Sequence, residues 1–246
     1  MTRATTYLFH VRGGDGVAHF FHPFTGSLSF LDQLRKTEVE GRYGAEPRIE
    51  SISLLRKELY EYADSAVNKW VAERWFTPRF VFSACAFLIA YFFFSYVIRD
   101  PLPMIDELIA GIFFGIVTFR SLGKKYRSRE EVEALRKELK ERIDKIQFQE
   151  SSFIRKIESL VQELEGISVE MLLEQWRRGE KLALHPEEMD EAEEFLSCLE
   201  LRIPPGKRNR FLYLLETGRV THYLKKKIES PELFLILYLF LKRSLA

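Results

Sequence analysis

The spacing of hydrophobic and polar positions changes several times along the chain, and each change predicts a different kind of element. In the first forty or so residues, TYLFHVR and VAHFFHPF are β-prone runs on either side of Gly13-Gly14-Asp15-Gly16, a turn composition able to supply positive φ. Thr25-Gly26-Ser27 marks a second turn before Leu28 to Phe30. The pattern predicts a small β-hairpin or meander over residues 1–44. Such an element is too small to bury a sound core alone, so it must pack on another part of the chain or on a partner.

From 45 to 77 the apolar residues Ile52, Leu55, Leu59, Tyr62, Ala66 and Trp70 recur in steps of three and four, with Lys57, Glu58, Glu61, Asp64 and Asn68 on other faces. This is the period of an amphipathic helix. Thr77-Pro78 closes it, because proline belongs in the first turn of the next helix and favours a bend there.

Over 78–122 the polar face disappears. Phe80 to Ile98 carries no charge, and Leu108 to Phe119 is a second uncharged run behind the acidic, proline-rich stretch RDPLPMIDE. At about 1.5 Å per residue the first run covers roughly the 30 Å of a bilayer's hydrocarbon core. The second does so when its helix begins near Pro101 or Pro103. The reading is a transmembrane helical hairpin with spans at about 80–98 and 103–120.

Over 124–167, Leu139, Ile143, Ile146, Glu150, Phe153, Ile157, Leu160, Leu164 and Ile167 alternate steps of four and three, a coiled-coil-like seam with one polar interruption at Glu150. Upstream, Val132, Leu135, Leu139 and Ile143 break the strict heptad. The seam can pack on the chain's own 45–77 helix or on an identical subunit, giving a homo-oligomer through the coiled coil. The segment 168–246 reads as a C-terminal helical domain. Ser168 caps one helix, Pro186 opens another, Pro204-Pro205-Gly206 precedes a third that Gly218 can end, and Ser230-Pro231 begins the last. Leu233 to Leu241 is apolar on every side, but at about 14 Å it is too short to cross a bilayer and reads as a core helix. The fold class is therefore a mainly α membrane protein: a two-helix hairpin, long cytoplasmic stalk helices, a small N-terminal β element and a C-terminal helical domain.

Charge adds direction to this plan. Lys69, Arg74 and Arg79 precede the first span, and Arg120, Lys124, Lys125, Arg127 and Arg129 follow the second, whereas the turn offers Arg99 against Asp100, Asp106 and Glu107. Basic residues stay on the cytoplasmic side, so both termini are expected there, as in a bacterial inner membrane. Trp70, Trp75, Phe76 and Tyr126 at one interface and Tyr91 and Tyr96 near the other agree. Overall charge exerts no pull towards nucleic acid, with 37 basic and 36 acidic residues. Neither Cys85, in the first span, nor Cys198, in a helical pattern, reads as a disulfide partner, and a reducing compartment is compatible. The N-terminus lacks the apolar core of a signal peptide, which leaves the first span as an uncleaved targeting signal.

Candidate chemistry is sparse. His10, His19 and His22 fall in the β element, and cross-strand His10 and His19 can approach, but no cysteine or acid completes a metal set. No metal or cofactor is expected. Gly111 and Gly115 form GxxxG, and Ala86 with Ala90 a second small pair, for packing within the hairpin or between subunits. Asp106 and Glu107 can line a pore mouth if several subunits surround one, or serve the N-terminal dipole of their own helix. The clusters Lys207, Arg208, Arg210 and Lys225, Lys226, Lys227 can touch anionic lipid headgroups or remain paired surface; neither forms a nucleic-acid motif.

The order of parts, helix, span, short acidic turn, span, coiled coil, loosely resembles that of the mitochondrial calcium uniporter's pore subunit. That family needs Trp-Asp-x-x-Glu, with two carboxylates one helical turn apart. Here Pro103-Met104-Ile105-Asp106-Glu107 has no Trp and adjacent acids, so the resemblance is one of topology alone. No P-loop, GxSxG, HExxH, Cys-x-x-Cys or dinucleotide turn occurs in the chain. The expectation is a non-enzymatic membrane-anchored scaffold or assembly subunit with a protein partner in addition to the bilayer, and the alternative an oligomeric channel or transport component.

Overall fold

The computed structural model describes residues 5–13, 16–97, 105–164, 166–179, 181–203, 206, 208–216 and 231–245. The chain is mostly helical with a small sheet. Two compact units are present: one of residues 1–24, 36–57 and 145–246, the other of residues 25–35 and 58–144.

The first unit holds strands β1 (Thr5–Arg12), β2 (Ala18–Phe21), β3 (Glu38–Tyr43) and β4 (Phe148–Glu150) in the order β2-β1-β3-β4. β1 runs antiparallel to β2 through Phe9↔Phe21 and His10↔Phe20, and parallel to β3, which runs parallel to β4 through Gly41↔Phe148. Among the described residues the unit also holds helices α6 (Ser152–Leu164), α7 (Val169–Arg178), α8 (Met189–Leu201), α9 (Arg208–Glu216) and α10 (Pro231–Ser244).

One apolar core holds this unit together. Phe9, Val11 and Phe21 of the sheet belong to the same buried cluster as Phe153, Ile157, Leu199 and α10. Phe195 lies at its centre, with ring centroids 4.8 Å from Phe9, 5.2 Å from Phe21 and 5.9 Å from Phe153. Every residue from Leu233 to Leu241 is buried, which explains why the sequence of α10 is apolar on every side. The β element and the helices after 168 therefore share one core, the β element packing on another part of the chain.

The second unit contains α1 (Ser29–Lys36), the later part of α2 (Ile49–Arg74), α3 (Phe76–Val97), α4 (Ile105–Arg127) and α5 (Glu130–Asp144). Trp75 separates α2 from α3, and Pro78 lies in the first turn of α3, where its missing N–H withholds a bond from the Arg74 carbonyl. α5 packs beside α2 through Arg136, whose Nη2 donates to Asn68 Oδ1 at 3.1 Å and whose Nε lies 3.5 Å from Asp64 Oδ1.

Two expectations are corrected. The single seam helix over 124–167 is four elements: the end of α4, then α5, β4 and α6. Glu150, the polar interruption of the seam, lies in β4. The Ser151 N–H donates to Tyr43 O at 2.8 Å, and Ser151 Oγ accepts the Ile154 N–H at the start of α6. The downstream seam residues Phe153, Ile157 and Leu164 are buried in the unit's own core. Ser29 and Phe30, predicted to belong to a meander, begin α1 instead, because Phe30, Leu31 and Leu34 bury at helical spacing.

Candidate functional site

The α3–α4 pair exposes a broad apolar surface. Phe76–Tyr96 is long and apolar enough to cross a membrane, alone among the described helices, and only 11 % of that stretch is buried. α4 does not reach that threshold because Asp106, Glu107, Arg120, Lys124 and Lys125 crowd its ends. Apolar side chains face outward on both helices, with Ile89 71 %, Phe92 64 %, Ile109 59 % and Phe113 61 % exposed. Small and polar residues share the inward face with the rings of Phe87 and Phe119, while the outward face is almost wholly apolar, unlike a water-soluble helical pair.

The seam is antiparallel and built on a four-residue repeat. Glu107, Gly111, Gly115, Phe119 and Gly123 follow one another on α4 at i, i+4, facing Phe87, Ser83 and Arg79 of α3. A β-carbon on Gly111 would lie 2.9 Å from the Phe87 ring, whereas one on Gly115 would lie 3.4 Å from Ser83 O, an ordinary separation. Buried Ser83 returns its hydroxyl to Arg79 O at 2.7 Å, which satisfies its donor inside the seam. Ala90 is buried and Ala86 half-buried, so the two small positions of α3 are not equivalent. GxxxG thus packs the two helices of one chain.

The acidic positions diverge. Asp106 is exposed, while Glu107 is 2 % exposed and its Oε2 has no hydrogen-bond partner among the described residues. Residues 98–104 of the expected turn lie outside the described residues.

At the opposite end of the pair, cations and aromatic rings interleave. Trp75 stacks on Tyr126 with centroids 4.7 Å apart and planes 9° apart, and the Arg129 guanidinium lies 4.2 Å from the Trp75 centroid and 4.5 Å from that of Tyr126. Arg74 lies 5.0 Å from the Trp70 ring. Arg79 crosses from α3 to α4, where Nη2 donates to Phe119 O at 3.2 Å and the guanidinium sits 4.0 Å from the Phe119 ring centroid. Sequence reasoning missed this crossing because its segments divide at 122 and 124; the repeat of glycine at 111, 115 and 123 was the available signal.

In the α/β unit two carboxylates serve the main chain. Glu158 of α6 accepts the Arg12 N–H at 2.8 Å, and Glu194 of α8 accepts the Tyr7 N–H at 2.9 Å. Burial pushes both carboxyls up, against the opposing pull of those hydrogen bonds. Burial also raises the Glu188 carboxyl, but hydrogen bonds from Lys156, His185 N–H and Ser152, with the Lys156 charge, outweigh it and hold it at about 2. Burial, reinforced by the Glu194 charge, pushes the Cys198 thiol up to about 12, so it stays protonated and inert as a nucleophile.

The strand register separates the expected metal candidates. His10 opposes Phe20 while His19 opposes Val11, which puts the two imidazoles on opposite faces of the sheet. His10 is buried; burial, with the charges of Arg12 and His19, pushes it down from 6.5 to about 4. Among the described residues no group of three His, Cys, Asp or Glu is placed to hold a metal ion. Of the basic clusters, Arg210 is exposed on α9 and Arg208 opens that helix, while Lys207 and Lys225, Lys226 and Lys227 lie outside the described residues.

Comparison of the chain with protein-family models, with curated proteins and with solved structures found no match.

Proposed function

We propose that the chain is a non-enzymatic membrane-anchored scaffold or assembly subunit, held in the bilayer by α3 and α4. The observation that carries this reading is the apolar exterior of the helix pair, around a seam built on small residues. Soluble monomers rarely expose contiguous apolar patches beyond a few hundred Å². Lipid is the solvent in which such an exterior costs nothing, and small-residue seams let membrane helices approach.

Chain connectivity supports two crossings. β3 precedes the apolar helices and β4 follows them, yet they hydrogen-bond in one sheet. If α3 crossed alone, the two strands would be on opposite sides of the membrane; α4 must bring the chain back. The basic residues at both outer ends put that side in the cytoplasm. There the α/β unit and α5 are available to a protein partner.

A conducting hairpin is the less favoured reading, since Glu107 is buried within a single chain instead of open to a shared pore. Flux through liposomes separates the two. The scaffold reading expects reconstituted protein to be silent; cation conductance abolished by Asp106→Asn with Glu107→Gln overturns it.

A further inference from the structure

Arg79 is placed without a carboxylate. A main-chain oxygen and a ring of Phe119 hold it, and it occupies the notch left by Gly123, where a β-carbon would lie 2.7 Å from its Nη2. Its Nε is buried without a hydrogen-bond partner among the described residues. Arg120 and Lys124 each follow a notch residue by one position, stand one helical turn apart and are exposed. Among the described residues, none of the three cations has an acidic partner within ion-pair distance. The outward apolar face begins directly beside them at Phe80, 58 % exposed.

We propose that this end of the hairpin binds the phosphate of an anionic phospholipid headgroup, with Arg79 in the Gly123 notch as the central cation and Arg120 and Lys124 at its flanks. The proposal rests on the membrane reading above. Guanidinium suits phosphate because its planar fork presents paired donors. Lipid is favoured over free phosphate because the adjoining apolar surface accepts acyl chains. The glycine gives the site its specificity. Without a side chain at 123 the arginine lies flat across the seam; with one it must swing away.

The test uses the full chain in detergent, offered phosphatidylglycerol, phosphatidylcholine or inorganic phosphate, with bound molecules counted by native mass spectrometry. Flotation with phosphatidylcholine vesicles, run in parallel, reads anchoring by itself. Phosphatidylglycerol should be retained over phosphatidylcholine by at least about fivefold, the factor one basic residue contributes near an anionic surface. Arg79→Gln should abolish the preference. So should Gly123→Ala, which keeps every charge and meets only the far end of a flexible side chain, whereas Lys181→Gln in the α/β unit should preserve it. A preference that survives both Arg79→Gln and Gly123→Ala overturns the site, as does equal retention of the two lipids. Inorganic phosphate retained as well as phosphatidylglycerol overturns the lipid as ligand. Protein that floats without lipid preference refutes the site alone; protein that does not float refutes the anchoring and the site together.

Discussion

Gly41 of β3 and Phe148 of β4 are direct neighbours in adjacent parallel strands, and the Phe148 ring fills the space where a β-carbon on residue 41 would stand. The Gly41 N–H donates to Gln147 O at 2.8 Å, closing the sheet around everything between them. Through this pair, strands that precede and follow the apolar helices in sequence meet in one sheet, so the proposed anchoring requires an even number of membrane crossings. Gly41→Val forces the ring out and should cost about 2 kcal/mol, the usual penalty of overpacking. Thermal unfolding followed by circular dichroism checks it, with a fall of about 5 °C expected for a unit of this size.

The hairpin seam makes a paired prediction. Gly111→Leu drives a side chain into Phe87 and its carbonyl, so resistance of the helix pair to denaturing detergent should fall sharply. Gly115→Ala meets atoms only at ordinary separation and should be neutral or slightly stabilising, because alanine is the better helix former. Equal effects at the two positions would mean the seam is packed differently.

His10 predicts a pH dependence. Its folded value of about 4 lies below the 6.5 of the unfolded chain, so between those limits the unfolded state binds the extra proton. Stability is full above 6.5 and falls as pH drops towards 4. Glu158 and Glu194 act in the opposite sense: with raised folded values they favour the folded state most at low pH and lose that contribution as pH rises above 4.5. His10→Phe, which keeps the ring against Phe20, should flatten the acid side of the stability profile measured by urea unfolding between pH 4 and 7.

Phe195 tests the shared core. Phe195→Ala removes contacts to both the sheet and α6, and should cost about 3–5 kcal/mol. Hydrogen exchange should then rise together in β1 and α10. Loosening of α8 alone would mean that sheet and helices have independent cores.

What the sequence made legible was local and periodic. The α2 helix, the two apolar helices α3 and α4, the Ser168 cap and the buried α10 all follow from spacing within one element. β3 and β4 were hidden because Glu38–Tyr43 is polar and β4 holds only Phe148–Glu150; both are strands by virtue of a partner distant in sequence. The seam over 124–167 misled for the same reason. Its apolar positions are real core positions, but β4 interrupts them and turns α6 into another unit. At the candidate site, glycine spacing was readable in advance, while the crossing of Arg79 to Phe119 needed the antiparallel register.

Nitroxide depth measurement tests the central claim most directly. With Cys85→Ser as background and the full chain reconstituted in vesicles, a spin label at Phe93, on the exposed face of α3, should collide readily with oxygen and hardly at all with a water-soluble nickel chelate. A label at Leu54, exposed on α2, should show the reverse. Nickel accessibility at 93 equal to that at 54 would contradict a membrane-embedded hairpin.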